Sequence, residues 1–278
     1  MNLLNIITEI ENKDPEVYDR INDRRSALKN FTGFASKVAA VSMPFMLGSM
    51  FKKAYGQTTT SIVSVLNYAL TLEYLESEFY IAGVARGTAL IPAANLPAFT
   101  TIRDHEVAHV AFLRAAITGA GGTPVAKPTF DFTAGNGNNM GPYADVFTNY
   151  ATFLAVSQAF EDTGVRAYKG QAGAVMTNKD VLTAALRIHS VEARHAAHVR
   201  RLRKERGAAN NDPWITGNNT GGVPSIAAVY AGEETATQAG IAITNINGLA
   251  ISVDAATEAF DEPLTMAQVL AIVDPFIV

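Results

Sequence analysis

The feature that most constrains this chain is a carboxylate set into each of four apolar helical stripes. Between Ser61 and Arg86, Ile62, Val65, Leu66, Ala69 and Leu70 recur at helical spacing, and Glu73 continues their face. From about Pro97 to Thr118 the stripe is Phe99, Ile102, Phe112, Leu113 and Ala116, with Glu106 and His109 inside it. From about Tyr143 to Lys169 it is Phe147, Tyr150, Ala151, Leu154 and Gln158, and Glu161 follows. From about Lys179 to Arg206 it is Leu182, Leu186, Val199 and Leu202, with Glu192 and His195 between them. A carboxylate on a buried face is costly unless protons or a cation compensate it. One such residue is explained by a salt bridge. Four on four helices need a shared reason, and that reason acts only if the helices come together.

The connections say how they come together. Gly87 and Pro92 break the chain between the first two helices, and Gly119 ends the second. Residues 119–142 are rich in Gly, Pro, Asn and Thr, with Gly135-Asn136-Gly137-Asn138-Asn139 at their centre, and read as a long loop. At up to about 3.3 Å per residue such a loop can run the length of a helix of about 35 Å. The order is helix, short link, helix, long crossover, helix, short link, helix. This predicts an all-α fold, a four-helix bundle with one long crossover.

The spacing sharpens the chemistry. Glu106/His109 and Glu192/His195 are Glu-x-x-His pairs, and residues three apart share a helix face. Two such pairs among five histidines exceed what chance supplies. Glu73 is followed seven residues on by Tyr80, and Glu161 seven on by Tyr168. The chain therefore reads as Glu…Tyr helix, Glu-x-x-His helix, twice, a duplicated hairpin about a pseudo-twofold axis. Four buried carboxylates and two divalent cations would be near neutral together, which a low dielectric demands.

Cysteine is absent, which excludes disulfides, thiolate-metal sites and a cysteine nucleophile. A metal here is held by oxygen and imidazole ligands, a set that suits iron, manganese or zinc. All five histidines (His105, His109, His189, His195 and His198) fall on the second and fourth helices. With 48% hydrophobic residues the chain is not disordered, and no run of 18 apolar residues predicts a membrane span. A net charge of −4 gives no general electrostatic case for nucleic acid.

The two ends differ from the middle. In residues 1–56, Arg24-Arg25-Ser26-Ala27-Leu28-Lys29 resembles a twin-arginine export signal. An apolar run from Val38 to Met50 and the small residues around Ala54-Tyr55-Gly56 follow. The expectation is a leader over 1–56 cleaved near Gly56, export to the periplasm or cell envelope, and a bundle over 57–206. An amphipathic helix docked on the bundle, with the protein cytoplasmic, is the alternative. Residues 207–278 are expected to pack on the bundle as an extension. Short helices are expected over Ala227–Thr244, Asp254–Phe260 and Leu264–Val273, the last capped by Thr265.

These residues resemble the ferritin-like di-metal carboxylate proteins, and within them the bacterial ferritin-like domain family related to plant desiccation-related proteins. The likeness rests on Leu72-Glu73-Tyr74-Leu75-Glu76-Ser77-Glu78-Phe79-Tyr80, on the two Glu-x-x-His pairs, and on Phe260-Asp261-Glu262-Pro263-Leu264-Thr265 in the tail. It covers about residues 60–206 closely and the tail more loosely. The resemblance implies Glu73 and Glu161 as terminal ligands, Glu106 and Glu192 as bridges, and His109 and His195 each capping one metal. Glu76, one turn after Glu73, is a candidate additional ligand. The implied cofactors are two divalent metal ions, Fe or Mn, and the implied reactants dioxygen or peroxide. Ferroxidase-, peroxidase- and catalase-like outcomes fit such ligands. An exported, non-enzymatic stress protein with structural or no metal is the second reading, and a storage cage the third; a homo-oligomer fits any of them.

Tyr80 and Tyr168 are read first as core tyrosines, and alternatively as residues that bond site carboxylates or join redox chemistry. His105, His189 and His198 are read as surface residues or as outer partners of the ligands, rather than as ligands. Asp104 or Asp162 is the expected outer partner of a ligating histidine. The basic run Arg200, Arg201, Arg203, Lys204, Arg206 is read as complementing the helix dipole, with a DNA-binding patch the alternative.

Overall fold

A computed structural model describes residues 59–208, 211–238, 240–246 and 248–278 of the chain. The expected leader over 1–56 and its cleavage site lie outside the described residues. Four long helices dominate: α1 (Thr59–Ala85), α2 (Leu96–Gly119), α3 (Tyr150–Ala172) and α4 (Lys179–Glu205). α1 packs along α2 and α3 along α4, and the two hairpins meet chiefly through α1 and α3. This is the expected all-α bundle with one long crossover. Among the described residues no helix is long and apolar enough to cross a membrane.

Local chemistry sets the helix ends. Asn178 caps α4 by accepting from the Val181 backbone N–H at 3.1 Å, and Arg203 and Lys204 sit in its last turn, where cations suit the dipole. α3 begins at Tyr150 rather than at the expected Tyr143. Asn149 takes up an extended backbone and its side chain accepts from the Ala151 N–H at 3.0 Å, which stops the helix from running upstream. Tyr143 instead stacks on Phe276 of the C-terminal tail, ring centroids 5.9 Å apart.

The crossover is folded around one carboxylate. Buried Asp131 accepts from the Thr133 hydroxyl and from the backbone N–H groups of Thr133, Gly137 and Asn139. Burial would raise its pKa, but these bonds outweigh burial and hold it below the ordinary range. Gly141 has to be glycine, because a Cβ there would lie 2.0 Å from the Thr133 carbonyl oxygen. The chain terminus then straps the crossover down: Asp131 N–H donates to Phe276 O and Val278 N–H to Thr129 O, each at 2.9 Å.

The tail touches α3, and its first half differs from the expected helix. The helix expected over Ala227–Thr244 does not form. A 3-10 turn (Pro224–Tyr230) gives way to two small antiparallel hairpins, β1 (Thr237–Gln238) with β2 (Ile241–Ala242), and β3 (Asn245–Ile246) with β4 (Leu249–Ala250). Gly232 and Gly240 adopt positive φ, which interrupts a helix, and Thr235 and Thr237 between them, with Ile241 and Ile243 after, favour extended pairing. Two short helices follow, α5 (Val253–Thr257) and α6 (Met266–Val273), the second closed by a Thr265–Gln268 capping box. Arg166 of α3 fastens the tail: its buried guanidinium donates to the carbonyls of Glu262, Val229 and Ala231 and pairs with Glu233 at 2.7 Å. The tail also touches α3 directly, since a Cβ on Gly170 would stand 1.9 Å from the Leu264 carbonyl oxygen.

Candidate metal centre

The bundle brings the six expected side chains to one place. Glu73, Glu106, Glu161 and Glu192 are each 0% exposed, so their charges meet no solvent. Two groups form, each with one ligand-capable atom per residue and all such atoms within 4.8 Å: Glu73, Glu106, His109 and Glu192, and Glu106, Glu161, Glu192 and His195. Glu106 and Glu192 belong to both groups. The two Glu-x-x-His pairs therefore supply the shared carboxylates, and the Glu…Tyr helices supply one further carboxylate to each group.

The distances show how each carboxylate is aimed. Glu106 Oε2 lies 3.0 Å from His109 Nδ1, and its Oε1 lies 2.8 Å from His195 Nδ1. One carboxylate thus faces both histidines with different oxygens. His109 Nδ1 also stands 3.0 Å from Glu73 Oε2 and 3.2 Å from Glu192 Oε1, and His195 Nδ1 stands 3.3 Å from Glu161 Oε2. Close as they are, Glu106 Oε1, Glu161 Oε2, both Glu192 oxygens and His195 Nδ1 have no hydrogen-bond partner. Buried polar atoms left this way are destabilising by roughly 1–3 kcal/mol each, and a cation among them would satisfy them all. The donor set, carboxylate oxygen and imidazole nitrogen, fits a pair of divalent metal ions.

The protonation pattern points the same way. Burial pushes Glu73 up to about 7 against the pull of His109, and pushes Glu76 and Glu192 well above the carboxylate range. Glu106 goes the other way, down to about 2: burial opposes this, but the imidazoles of His109 and His195 beside it outweigh burial. Burial would lower both histidines. Glu161 and Glu106 nevertheless hold His195 up to about 11, and Glu73 with its neighbours raises His109 strongly. Without a metal, protons on the histidines and on some carboxylates do the neutralising.

Glu76 of α1 belongs to neither group but lies beside them. It is buried, and a Cβ built on Gly164 would come within 3.2 Å of Glu76 Oε1 and 3.1 Å of Glu192 Oε2. Gly164 follows Glu161 by three residues as Glu76 follows Glu73, so the repeat places a carboxylate on one helix and the room for it on the other. That spacing was available in the sequence, and Gly164 is the residue that motif reading missed.

The tyrosines cross between the hairpins. Tyr80 of α1 donates to Glu161 of α3, and Tyr168 of α3 donates to Glu73 of α1. The outer partner of His195 is neither Asp104 nor Asp162 but His105, whose Nδ1 lies 2.9 Å from His195 Nε2 with the rings stacked. Asp104 pairs with Arg103, and Asp162 with Arg200 and Tyr230. Arg200 and Arg203 are buried, so the basic run is no continuous surface patch. His189 and His198 belong to neither carboxylate group.

A four-helix bundle with one crossover and a shared Glu/His cluster at its centre defines a ferritin-like protein. Residues 61–205 match the ferritin-like domain family, and the chain belongs to that family. Comparison with curated proteins gives no match.

Proposed function

We propose that the cluster holds two divalent ions, Fe or Mn, and that the protein is an oxidoreductase acting on dioxygen or peroxide. The observation that carries this reading is the double use of Glu106 and Glu192, which belong to both Glu/His groups while Glu106 Oε1 and both Glu192 oxygens stay unsatisfied. In this reading Glu73 and His109 would hold one ion, Glu161 and His195 the other, and Glu106 and Glu192 would be shared by both. Glu76 supplements or replaces Glu73. When bound, the ions supply one electron each to the oxidant. Tyr80 and Tyr168 orient Glu161 and Glu73 through their hydroxyls, and His105 fixes the ring of His195. The aromatic packing around Tyr80 excludes water from one end of the site.

Likeness in the 72–80 and 260–265 segments supports a place in the desiccation-related branch and a role in stress protection. Metal analysis with stopped-flow oxidation tests the reading. Two ions per chain and rapid consumption of dioxygen or peroxide are expected. A folded protein that ignores added Fe(II) and Mn(II) would leave only the non-enzymatic reading.

A further inference from the structure

The two ends of the cluster differ. On one side Tyr80, Phe99 and Phe153 close the bundle with rings 5.2–6.3 Å apart. On the other side a narrow cavity lies between the hairpins, about 30 Å³ as measured by the centre of a water-sized sphere. All four long helices wall it, through Ala69, Leu72, Leu113, Tyr168 and Ile188 among others, and it presents only apolar atoms. Ala69 is one turn before Glu73, Leu113 one turn after His109, and Ile188 one turn before Glu192. The cavity therefore begins about one helical turn, about 5.4 Å, along the bundle from the cluster. Tyr168 belongs to both: its ring lines the cavity and its hydroxyl bonds Glu73.

Size and polarity select the occupant. A water needs about 10–15 Å³ by the same measure, so this space takes a molecule of about two heavy atoms. Water or hydrogen peroxide would surrender hydrogen bonds there and find none in return. Dioxygen is apolar and has none to lose, and dry apolar cavities also take up xenon.

We propose that this cavity collects dioxygen for the centre, so that dioxygen rather than peroxide is the oxidant arriving from this end. The inference rests on the two-metal reading above. In the step it serves, one dioxygen takes up two electrons, one from each of two ferrous ions, together with two protons from solvent, and leaves as hydrogen peroxide.

The test uses the full chain and two variants that fill the cavity from α4, Ala184→Leu and Ala185→Leu, each checked for helicity and for Fe(II) stoichiometry. The first readout is ¹²⁹Xe NMR. A saturable shift is expected for the parent protein and its loss in either folded variant. The second is stopped-flow oxidation of bound Fe(II). Oxidation by dioxygen should slow at least tenfold in the variants, and oxidation by hydrogen peroxide should be unchanged. Absence of a saturable xenon shift in the parent overturns the proposal, as does an unchanged dioxygen rate in a variant that has lost xenon. Equal slowing with both oxidants overturns it too. A parent chain that takes up xenon but binds no Fe(II) overturns the two-metal reading and this proposal together, whereas the other failures leave that reading standing.

Discussion

Tyr80 on α1 bonds Glu161 on α3, although the carboxylate seven residues before it in its own helix is Glu73. Tyr168 on α3 returns the bond to Glu73. Each half of the repeat thus supplies the hydroxyl that holds the other half's carboxylate, and the two hairpins are tied through the site itself. Replacing either tyrosine with phenylalanine leaves a buried carboxylate oxygen without its donor. Each variant should lose about 1–3 kcal/mol of stability. The thermal midpoint should then fall by several degrees, and a melt followed by circular dichroism checks it.

Gly164→Ala separates stability from binding. Alanine is favoured over glycine within a helix by about 1 kcal/mol. Here the added methyl group meets Glu192 and Glu76 at 3.1–3.2 Å. The variant should melt no lower than its parent without metal, yet bind Fe(II) or Mn(II) at least tenfold more weakly. Isothermal titration distinguishes this from an unchanged affinity, which would place Glu76 and Glu192 off the metals.

The metal-free protein should weaken as the pH rises. Glu73 at about 7 and His195 at about 11 both lie above their ordinary values, so the stability they contribute is full below about 4.5 and 6.5 respectively. It is lost as the pH climbs through the folded values. Chelator-treated protein should therefore melt lower at pH 10 than at pH 6.5, and metal-loaded protein should show a smaller drop. Metal uptake should also release protons, because the histidines must be neutral to ligate; titration in buffers of different ionisation enthalpy measures that release.

Arg166→Ala should detach the tail. It removes the partner of buried Glu233 and three bonds to tail carbonyls, a loss of about 3–5 kcal/mol for the broken ion pair. Limited proteolysis should then cut between residues 211 and 265 first, while α1 to α4 remain protected.

The bundle and the six cluster residues were legible because their signals are local and periodic. A glutamate in an apolar stripe is visible at a spacing of three or four, and so is its histidine partner. Glycine-rich segments marked the crossover, but not that Asp131 and the chain terminus organise it, because those contacts join residues far apart in sequence. The tail was misread for a similar reason: Ala227–Thr244 carries apolar residues at mixed spacing, and Gly232 and Gly240 decide for turns. His105 was legible only as a surface residue or an outer partner, because its neighbour Glu106 points to another helix face and only the approach of α4 brings His195 against it.

Anaerobic equilibrium dialysis of the full chain against Fe(II), followed by metal analysis of the parent and of a Glu106→Ala, Glu192→Ala double variant, tests the central claim most directly. Two ions per chain in the parent, and none in a double variant of unchanged helicity, is the predicted result. A folded parent that retains no iron, or a double variant that retains both ions, would contradict it.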